Sequence, residues 1–283
     1  MNLFTPPPET KWNVLSLGAG VQSSCLALMA SKGEITPMPD FAVFADTQQE
    51  PSEVYEWLDK LAILLPFPIY IVTKGDLGEG AVAIRHRKRD GLPYAKWLIP
   101  AFAQSNDNQV GILGRKCTAD YKIAPINNKI KELCDIKRGQ KNITVTQWIG
   151  ISWDEMQRMK ESRQPWCQMR FPLMELRMNR SHCLQWMRDN NYPEPPRSAC
   201  TFCPFHNDYE WRRLRNEQPE DFQKAVVFEA KMQEVAKQDV ILKSKPFLHR
   251  SCKSLGEIDF DNDEDKGQQV WDFQAECEGM CGV

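Results

Sequence analysis

The sequence lacks any apolar run that approaches the roughly 20 residues of a membrane-spanning helix. Its first 15 residues, MNLFTPPPETKWNVL, also lack the charged and apolar regions of a signal peptide. A charge excess is absent too, because the formal net charge is −2 over 283 residues. Any polyanion site must therefore be local. We expect a soluble, cytoplasmic protein with no membrane partner.

What the sequence does contain is typical of a globular protein, with 42% hydrophobic and 26% charged residues. This composition excludes disordered and collagen-like chains. The chain also has ten cysteines. Because thiols stay reduced in the cytoplasm, so many cysteines indicate metal or redox chemistry rather than disulfides.

Strands and helices alternate along the first half of the chain. The run Trp12–Leu17 predicts a strand, Gly18-Ala19-Gly20 a tight turn, and Val21–Ser31 a helix. Further strands are predicted at Phe41–Ala45, Pro68–Val72 and Ile143–Ile151, and further helices at Pro51–Leu65, Ile123–Leu133, Ser181–Asn190 and Glu220–Lys237. The alternation predicts an α/β fold with a doubly wound parallel sheet.

Two regions are expected from the change in composition along the chain. We place an α/β nucleotide-binding core at residues 1–165, with a long loop without clear periodicity at about 74–116. Residues 166–283 predict a mostly helical, cysteine-containing region that packs on this core. Within the loop, the basic run Arg85–Arg89 is consistent with a plain exposed loop or with a contact to phosphate or a nucleic-acid strand.

The turn after the first strand carries small residues and hydroxyls at a helix N-terminus, where free backbone N–H groups bind phosphate. A purely structural helix start is equally consistent with it, because the turn matches neither of the common phosphate-loop patterns. The residues assigned to this site are Ser16, Gly18, Ala19, Gly20, Gln22, Ser23 and Ser24.

The segment from Gly18 to Ser23 resembles the pyrophosphate loop, Ser-Gly-Gly-x-Asp-Ser, of the adenine nucleotide alpha-hydrolase-like superfamily of PP-loop ATP pyrophosphatases. Gly18 replaces the first Ser of that loop, and Gln22 replaces its Asp. The resemblance implies that ATP, with Mg²⁺, binds at the strand ends.

Two later segments resemble elements of sulfonucleotide reductases. Asp46-Thr47-Gln48 is similar to their Asp-Thr-Gly element, and the segment from Gly150 to Arg158 is similar to Gly-Ile-Arg-x-x-Glu-x-x-x-Arg. Taken in order, the motifs resemble the phosphoadenosine phosphosulfate reductase-like family, which includes phage-type and DNA phosphorothioation-type members. This resemblance implies nucleotide contacts at Asp46, Thr47, Gln48, Gly150 and Arg158.

A third segment joins cations to a cysteine just before a predicted helix. Arg115-Lys116-Cys117-Thr118, followed by Lys122, suits the anchoring of phosphates beside a thiolate. The alternative is a free cysteine with two surface cations. The segment resembles the Arg-x-Cys-Thr-x-x-x-Lys element of the reductase-like proteins, which implies catalytic roles for Arg115 and Lys122.

The pair Cys200 and Cys203 is spaced so that both sulfurs can reach one metal ion or cluster. A zinc ribbon needs a second such pair, which the sequence lacks, and a thioredoxin-type redox pair is a further alternative. We expect an iron–sulfur cluster of the 4Fe-4S type ahead of zinc. The resemblance implies that Cys117 is a third ligand.

The fourth ligand is sought in the C-terminal tail, which contains Cys277 and Cys281. Cys277 is the candidate metal ligand. Alternatively, a cluster held by three cysteines leaves one iron open to sulfide, as the thiolating branches of the superfamily imply. The reductases imply a third role for the tail, in which Cys277 or Cys281 is a mobile catalytic nucleophile.

Three functions are consistent with these features. The first is an ATP-dependent enzyme that adenylylates an acceptor, with a nucleic acid (tRNA or DNA) as one candidate, and transfers sulfur to it with the help of the cluster and a sulfur or electron donor protein. The second is reduction of phosphoadenosine or adenosine phosphosulfate to sulfite. The third is a catalytically inactive nucleotide-binding or structural protein, which the replacements at Gly18 and Gln22 favour.

Overall fold

The computed structural model describes residues 6–105 and 109–261 of the chain. Its strands are β1 (Trp12–Leu17), β2 (Phe41–Asp46), β3 (Ile69–Thr73), β4 (Ile84–His86), β5 (Pro93–Ala95), β6 (Phe102–Gln104), β7 (Val110–Ile112), β8 (Val145–Ile149), β9 (Cys167–Arg170) and β10 (Lys245–Phe247). Its α-helices are α1 (Val21–Ser31), α2 (Ser52–Leu64), α3 (Leu77–Val82), α4 (Ala124–Leu133), α5 (Pro172–Glu175), α6 (Arg180–Asp189), α7 (Asp208–Glu217) and α8 (Pro219–Gln238). A π-helical turn, Thr118–Ile123, leads into α4, and two 3₁₀ turns lie at Trp153–Arg158 and Leu255–Glu257.

The main sheet has five strands in the order β3-β2-β1-β8-β9, all of them parallel. Successive strand residues point to opposite faces, so both faces of the sheet need a cover. Leu15, Phe44 and Trp148 pack on the face covered by α1, α2 and α6. Val14 and Val145 pack on the other face, against α4. The predicted α/β fold with a doubly wound parallel sheet is confirmed.

The parallel sheet continues beyond the predicted core boundary at residue 165. Its last strand, β9, pairs with β8, and α5 and α6 then return to pack beside α1. The sequence analysis missed β9 because the strand has only four residues, two of them buried. Four residues are too few to show a strand periodicity.

The region predicted as a long loop at about 74–116 contains α3 and four strands. Strands β4 and β5 form an antiparallel hairpin, and β6 pairs with β7 and with β10 near the C-terminal end of the described chain. Each of these four strands has three residues. Such short strands leave no alternation that a sequence window can detect.

A second hydrophobic core joins this region to the C-terminal helices. It contains Leu77 from α3, Tyr121 from the π-helical turn, Trp211 from α7 and Phe228 from α8. Residues from the first half of the chain and from the C-terminal region thus bury one common apolar surface. Within the described ranges, no helix combines the length and apolarity needed to cross a bilayer.

Candidate functional site

A cleft lies at the carboxyl ends of β1, β2 and β8, where ligands of open α/β sheets bind. Its space of about 700 Å³ is partly open to solvent. We call it the strand-end cleft. The predicted residues that line it are Ser16, Gly18, Gly20, Gln22, Ser23, Gly150, Arg158 and Lys122.

The turn from β1 into α1 is held in shape by its own hydrogen bonds. The Ser23 hydroxyl accepts from the Gly18 N–H at 3.2 Å and donates to the Gly20 carbonyl at 3.3 Å. Ala19 is buried and has a φ of 60°, in the left-handed region that favours glycine. The pyrophosphate loop that this turn resembles has glycine at the position of Ala19. The left-handed backbone conformation explains why glycine is preferred there.

The opposite wall of the cleft comes from the segment after β8. A Cβ on Gly150 would lie 3.0 Å from the backbone N and Cα of Ser23. Only a glycine lets these two backbones approach so closely. Gln22 donates to the Ser152 hydroxyl at 3.4 Å, which joins the helix start to this wall a second time.

A buried ion pair borders the same wall. Arg158 Nη1 lies 2.6 Å from Glu155 Oε1, and the Glu155 side chain is 2% exposed. Burial raises the pKa of Glu155, while the positive charge of Arg158 opposes that rise. Arg158 is therefore a partly neutralised cation at the border of the cleft.

Five predicted nucleotide contacts lie outside the residues that line the cleft, namely Ala19, Ser24, Asp46, Thr47 and Gln48. Ser24 is fully buried and accepts a hydrogen bond from the indole of Trp57 at 2.9 Å. The Asp46 carboxylate accepts from the Gln48 N–H at 2.7 Å and from the Tyr55 hydroxyl at 2.8 Å. These partners give Ser24 and Asp46 structural roles, and Gln48 belongs to the turn that Asp46 holds.

A second, smaller cavity of about 410 Å³ lies beside the cleft. It is lined by Cys117, Cys200 and Cys203, together with Arg115, Thr47 and Lys122. Apolar groups, among them Ile99, Phe202 and Phe205, form much of the remaining wall. We call it the cysteine cavity. The three cysteines singled out in the sequence thus lie around one space.

Backbone hydrogen bonds fix the turn that carries two of these thiols. The Cys203 N–H donates to the Cys200 carbonyl at 2.8 Å, and the Thr201 N–H donates to the Gln49 carbonyl at 2.7 Å. Thr47 Oγ1 lies 3.4 Å from Cys200 Sγ. The turn is thereby attached to the connection between β2 and α2, although some 150 residues separate them along the chain.

His206 supports the same turn from behind. Its Nε2 lies 3.0 Å from the Cys200 carbonyl, which can only accept, so Nε2 carries the proton. Burial, and then the charge of Arg197, lower the pKa of His206 to about 3. The ring is therefore neutral at physiological pH.

Lys122 lines both spaces and is held between them by a residue that the sequence analysis did not single out. Its Nζ lies 3.0 Å from Glu50 Oε1, and the Glu50 side chain is fully buried. Glu50 Oε2 accepts from the Ser198 hydroxyl at 3.3 Å. Only the position of Glu50, two residues after Asp46-Thr47-Gln48, could have pointed to it.

Arg115 reaches the cysteine cavity from the loop before the π-helical turn. Its guanidinium donates to the Thr118 hydroxyl and lies 6.0 Å from the ring of Phe205. The predicted tail residues Cys277 and Cys281 lie outside the described residues.

Among residues 6–105 and 109–261, no group of three or more His, Cys, Asp or Glu side chains is arranged to hold a metal ion. This finding concerns the binding of a single metal ion. In a 4Fe-4S cluster each thiolate binds a different iron atom, so the thiolates lie farther apart than around one ion.

The fold and the two spaces define a class of protein: an α/β protein with a cleft at its strand ends and a cysteine-lined cavity next to it. No protein-family profile matches the chain, and no curated protein matches it. Among solved structures it is similar to phosphoadenylyl-sulfate (PAPS) reductase from Candida auris, determined as a phosphate complex. The two share 16% identity at a TM-score of 0.41, over 65% of this chain and 74% of that one. A similarity of this size assigns neither substrate nor activity to the chain.

Proposed function

We propose that the protein uses ATP to adenylylate an acceptor and then transfers sulfur to it. The observation that carries this proposal is the position of Lys122, which lines both the strand-end cleft and the cysteine cavity. A nucleotide in the cleft and a sulfur species at the cysteines would then share one cation. The ordered motifs of the sequence support the same assignment.

The phosphates of ATP suit the start of α1. Four backbone N–H groups at a helix start have no partner within the helix, and the helix dipole favours an anion there. In this helix the cap residue Gly20 offers no side-chain hydrogen bond, and the first turn contains no acidic residue. Nothing in the first turn therefore competes with a phosphate for these N–H groups.

The reaction consists of two steps, adenylylation and sulfur transfer. An oxygen of the acceptor attacks the α-phosphorus of ATP, the bond to the β-phosphate oxygen breaks, and pyrophosphate leaves. Hydrosulfide, or its equivalent from a donor protein, then attacks the acceptor atom that bears the adenylyl group, and AMP leaves. Lys122 stabilises the negative charge that develops on the phosphate oxygens. No net oxidation occurs, so no reductant is consumed.

The residues around the cysteine cavity are consistent with an iron–sulfur cluster. Cys200 and Cys203 are buried and Cys117 is half-buried, and apolar side chains around them limit access of water. A cluster held there would bind sulfur and keep it near the acceptor. Arg115 provides a positive charge beside the thiolates, which are anionic when they bind metal.

The proposal is tested with the full chain purified without oxygen. We expect pyrophosphate release from Mg²⁺-ATP when hydrosulfide and a pool of RNA and DNA acceptors are supplied. The Lys122→Ala variant should lose most of this activity. Lys129→Ala is the matched control, because Lys129 lies seven residues later in α4 and pairs with Glu132.

The same preparation is supplied separately with phosphoadenosine phosphosulfate and a dithiol reductant. Sulfite release there, without pyrophosphate release from ATP, would replace the proposal by sulfonucleotide reduction. Calorimetry tests the third function, that of a catalytically inactive protein. Nucleotide binding without either reaction would identify a nucleotide-binding protein that lacks catalysis.

A further inference from the structure

Residues 84–122 are strongly basic, although the whole chain is not. They contain eight Lys or Arg and three Asp or Glu, whereas the chain as a whole has a formal net charge of −2. Asp90 is the only acidic residue between residues 80 and 106. The positive charge is therefore concentrated in one region.

The β4–β5 hairpin carries half of these cations. Arg85, Lys88 and Arg89 are exposed, and the Arg89 side chain is 82% exposed. Asp90 lies 2.9 Å from Arg87 and 3.2 Å from Arg89. One carboxylate thus faces two guanidinium groups, which leaves the hairpin with a net positive charge.

A second group of cations surrounds Asp120 in the π-helical turn. Lys96 Nζ lies 3.0 Å from the Asp120 carboxylate and Lys74 Nζ lies 3.9 Å from it. The hydrogen bond from Lys96 and the charges of Lys74 and Lys116 lower the pKa of Asp120. Asp120 is therefore ionised at neutral pH, and three lysines still outnumber it.

The backbone connects the two groups and leads to the cysteine cavity. Arg85 pairs with Tyr94 across the hairpin, two residues before Lys96. The chain continues to Leu98, whose carbonyl accepts the N–H groups of both Lys116 and Cys117 at 2.8 Å. We call Lys74, Arg85, Arg87, Lys88, Arg89, Lys96 and Lys116 the basic surface. It runs from the hairpin to the edge of the cavity at Cys117.

We propose that the basic surface binds the backbone of an unpaired nucleic-acid strand and leads this strand to the cysteine cavity as the acceptor. The inference rests on the proposed function for its chemistry. Cations that outnumber their carboxylates attract a phosphodiester chain and release its condensed counterions. A free nucleotide occupies only the cleft and would leave the cations of the hairpin without a role.

The form of the strand follows from the position of the cysteines. Cys200 and Cys203 are 8% and 9% exposed, so the acceptor group must enter the cavity to meet them. A stacked, paired nucleotide cannot do so until it leaves its duplex. An unpaired strand presents such a group without that cost.

Fluorescence anisotropy with labelled oligonucleotides of about 15 nucleotides, DNA and RNA, single-stranded and duplex, tests the proposal. We expect the full chain to bind single strands more tightly than duplexes, with an affinity that falls steeply as salt increases. The triple variant Arg85→Glu/Lys88→Glu/Arg89→Glu should weaken binding at least about 10-fold. It should also make the plot of log affinity against log salt concentration less steep by roughly 2. Each of the three lost phosphate contacts contributes about 0.7 to this slope on a single strand.

The matched control is Lys137→Glu/Arg138→Glu/Lys141→Glu. These three exposed cations precede β8, at the opposite end of the sheet, and the charge change is identical. Near wild-type binding is expected. Equal weakening by both triple variants, a preference for duplex, or binding to anionic vesicles but not to oligonucleotides would overturn the proposal.

Failure of this inference can be told apart from failure of the proposed function. Oligonucleotide binding is measured without ATP, and ATP binding is measured by calorimetry without an oligonucleotide. The hairpin variant should bind ATP as the wild type does. A protein that binds single strands through the basic surface but releases no pyrophosphate would keep this inference and lose the proposed function.

Discussion

At the scale of single residues, the shape of the turn between β1 and α1 depends on a close approach of two backbones as well as on the hydrogen bonds of Ser23. Gly150 is the clearest case, because the backbone N and Cα of Ser23 lie only 3.0 Å from where its Cβ would be. A methyl group there cannot be accommodated by rotation of a flexible side chain. The turn itself, or the end of β8, has to move.

We therefore predict that Gly150→Ala weakens nucleotide binding by at least about 10-fold, which corresponds to about 1.4 kcal/mol. Isothermal titration with ATP measures the change. Gly111→Ala is the control, since no atom lies within 4 Å of a Cβ built on Gly111. If both variants bind ATP equally well, the turn between β1 and α1 is not the phosphate site.

Glu50 is a second residue whose contact, with Lys122, shapes the site. It provides the negative charge beside Lys122 and is itself held by Ser198. A buried charge without a partner is costly, so Glu50 and Lys122 depend on each other. The ion pair fixes Lys122 at the position where its side chain lines both the strand-end cleft and the cysteine cavity.

At the scale of elements, Asp239 anchors the hairpin side of the basic surface to the end of α8. Its carboxylate accepts from the Ala95 N–H and the Trp97 indole, both at 2.9 Å, and from the N–H groups of Ile241 and Leu242. Burial alone would raise the pKa of Asp239, but these backbone and indole donors lower it below the ordinary value.

Asp239→Asn should destabilise the protein by about 1–3 kcal/mol at pH 7, because an amide NH₂ would face two donors. A carboxylate whose folded pKa is depressed stabilises the protein above its unfolded pKa of about 3.9 and loses that effect as the pH falls through the folded value. Urea unfolding at pH 7 and at about pH 3 measures the destabilisation at pH 7 and its loss at low pH. If the difference in unfolding free energy between wild type and variant grew toward low pH, this role for Asp239 would be contradicted.

The π-helical turn Thr118–Ile123 is another element with a consequence for the site. The Ala124 N–H bonds to the Ala119 carbonyl, five residues back, and such turns are frequent at functional positions. One turn of this kind places Lys122 toward Glu50 and Asp120 toward Lys96. The two spaces and the basic surface therefore share one short segment.

At the scale of the whole molecule, a cluster at the cysteine cavity would link distant parts of the chain. Cys117 and the pair Cys200 and Cys203 are separated by more than eighty residues, and all three border the second hydrophobic core. A shared inorganic centre would therefore hold the C-terminal helices against the half of the chain that forms the strand-end cleft. Binding of the cluster and stability should rise and fall together.

We predict that Cys200→Ser and Cys203→Ser each remove iron, the absorption band near roughly 400 nm, and part of the thermal stability. Iron and sulfide analysis after anaerobic purification, with thermal unfolding, measures these effects. Cys25→Ala is the control for iron content, because Cys25 lies fully buried in the other core. Zinc in place of iron in the wild type would refute the cluster.

The same iron analysis applies to serine variants of the two cysteines in the C-terminal tail. If Cys277 or Cys281 is a ligand, its serine variant loses iron. If either is a nucleophile, iron remains and only turnover stops. If neither variant changes iron or turnover, three cysteines hold the cluster.

The sequence alone determined the order of the longer strands of the main sheet and of most of the longer helices, and it marked segments that the structure brings to the strand-end cleft and the cysteine cavity. The sequence pattern located β1, β2, β3 and β8 within about two residues, because each is a run rich in apolar, β-branched or aromatic residues. The glycine turn, the Cys-x-x-Cys pair and the Arg115 to Lys122 segment were recognisable because their chemistry lies within a few consecutive residues.

Only the tertiary structure decided which distant residues meet. Glu50 faces Lys122, Ser23 packs on Gly150, and Lys74 and Lys96 share Asp120. No local pattern encodes these contacts, because they depend on how parallel strands and the helices between them bring separate connections to one edge of the sheet. The strands β4 to β7 were missed because each has only three residues, and they are held by pairing with neighbouring strands and, for β5, by contact with α8.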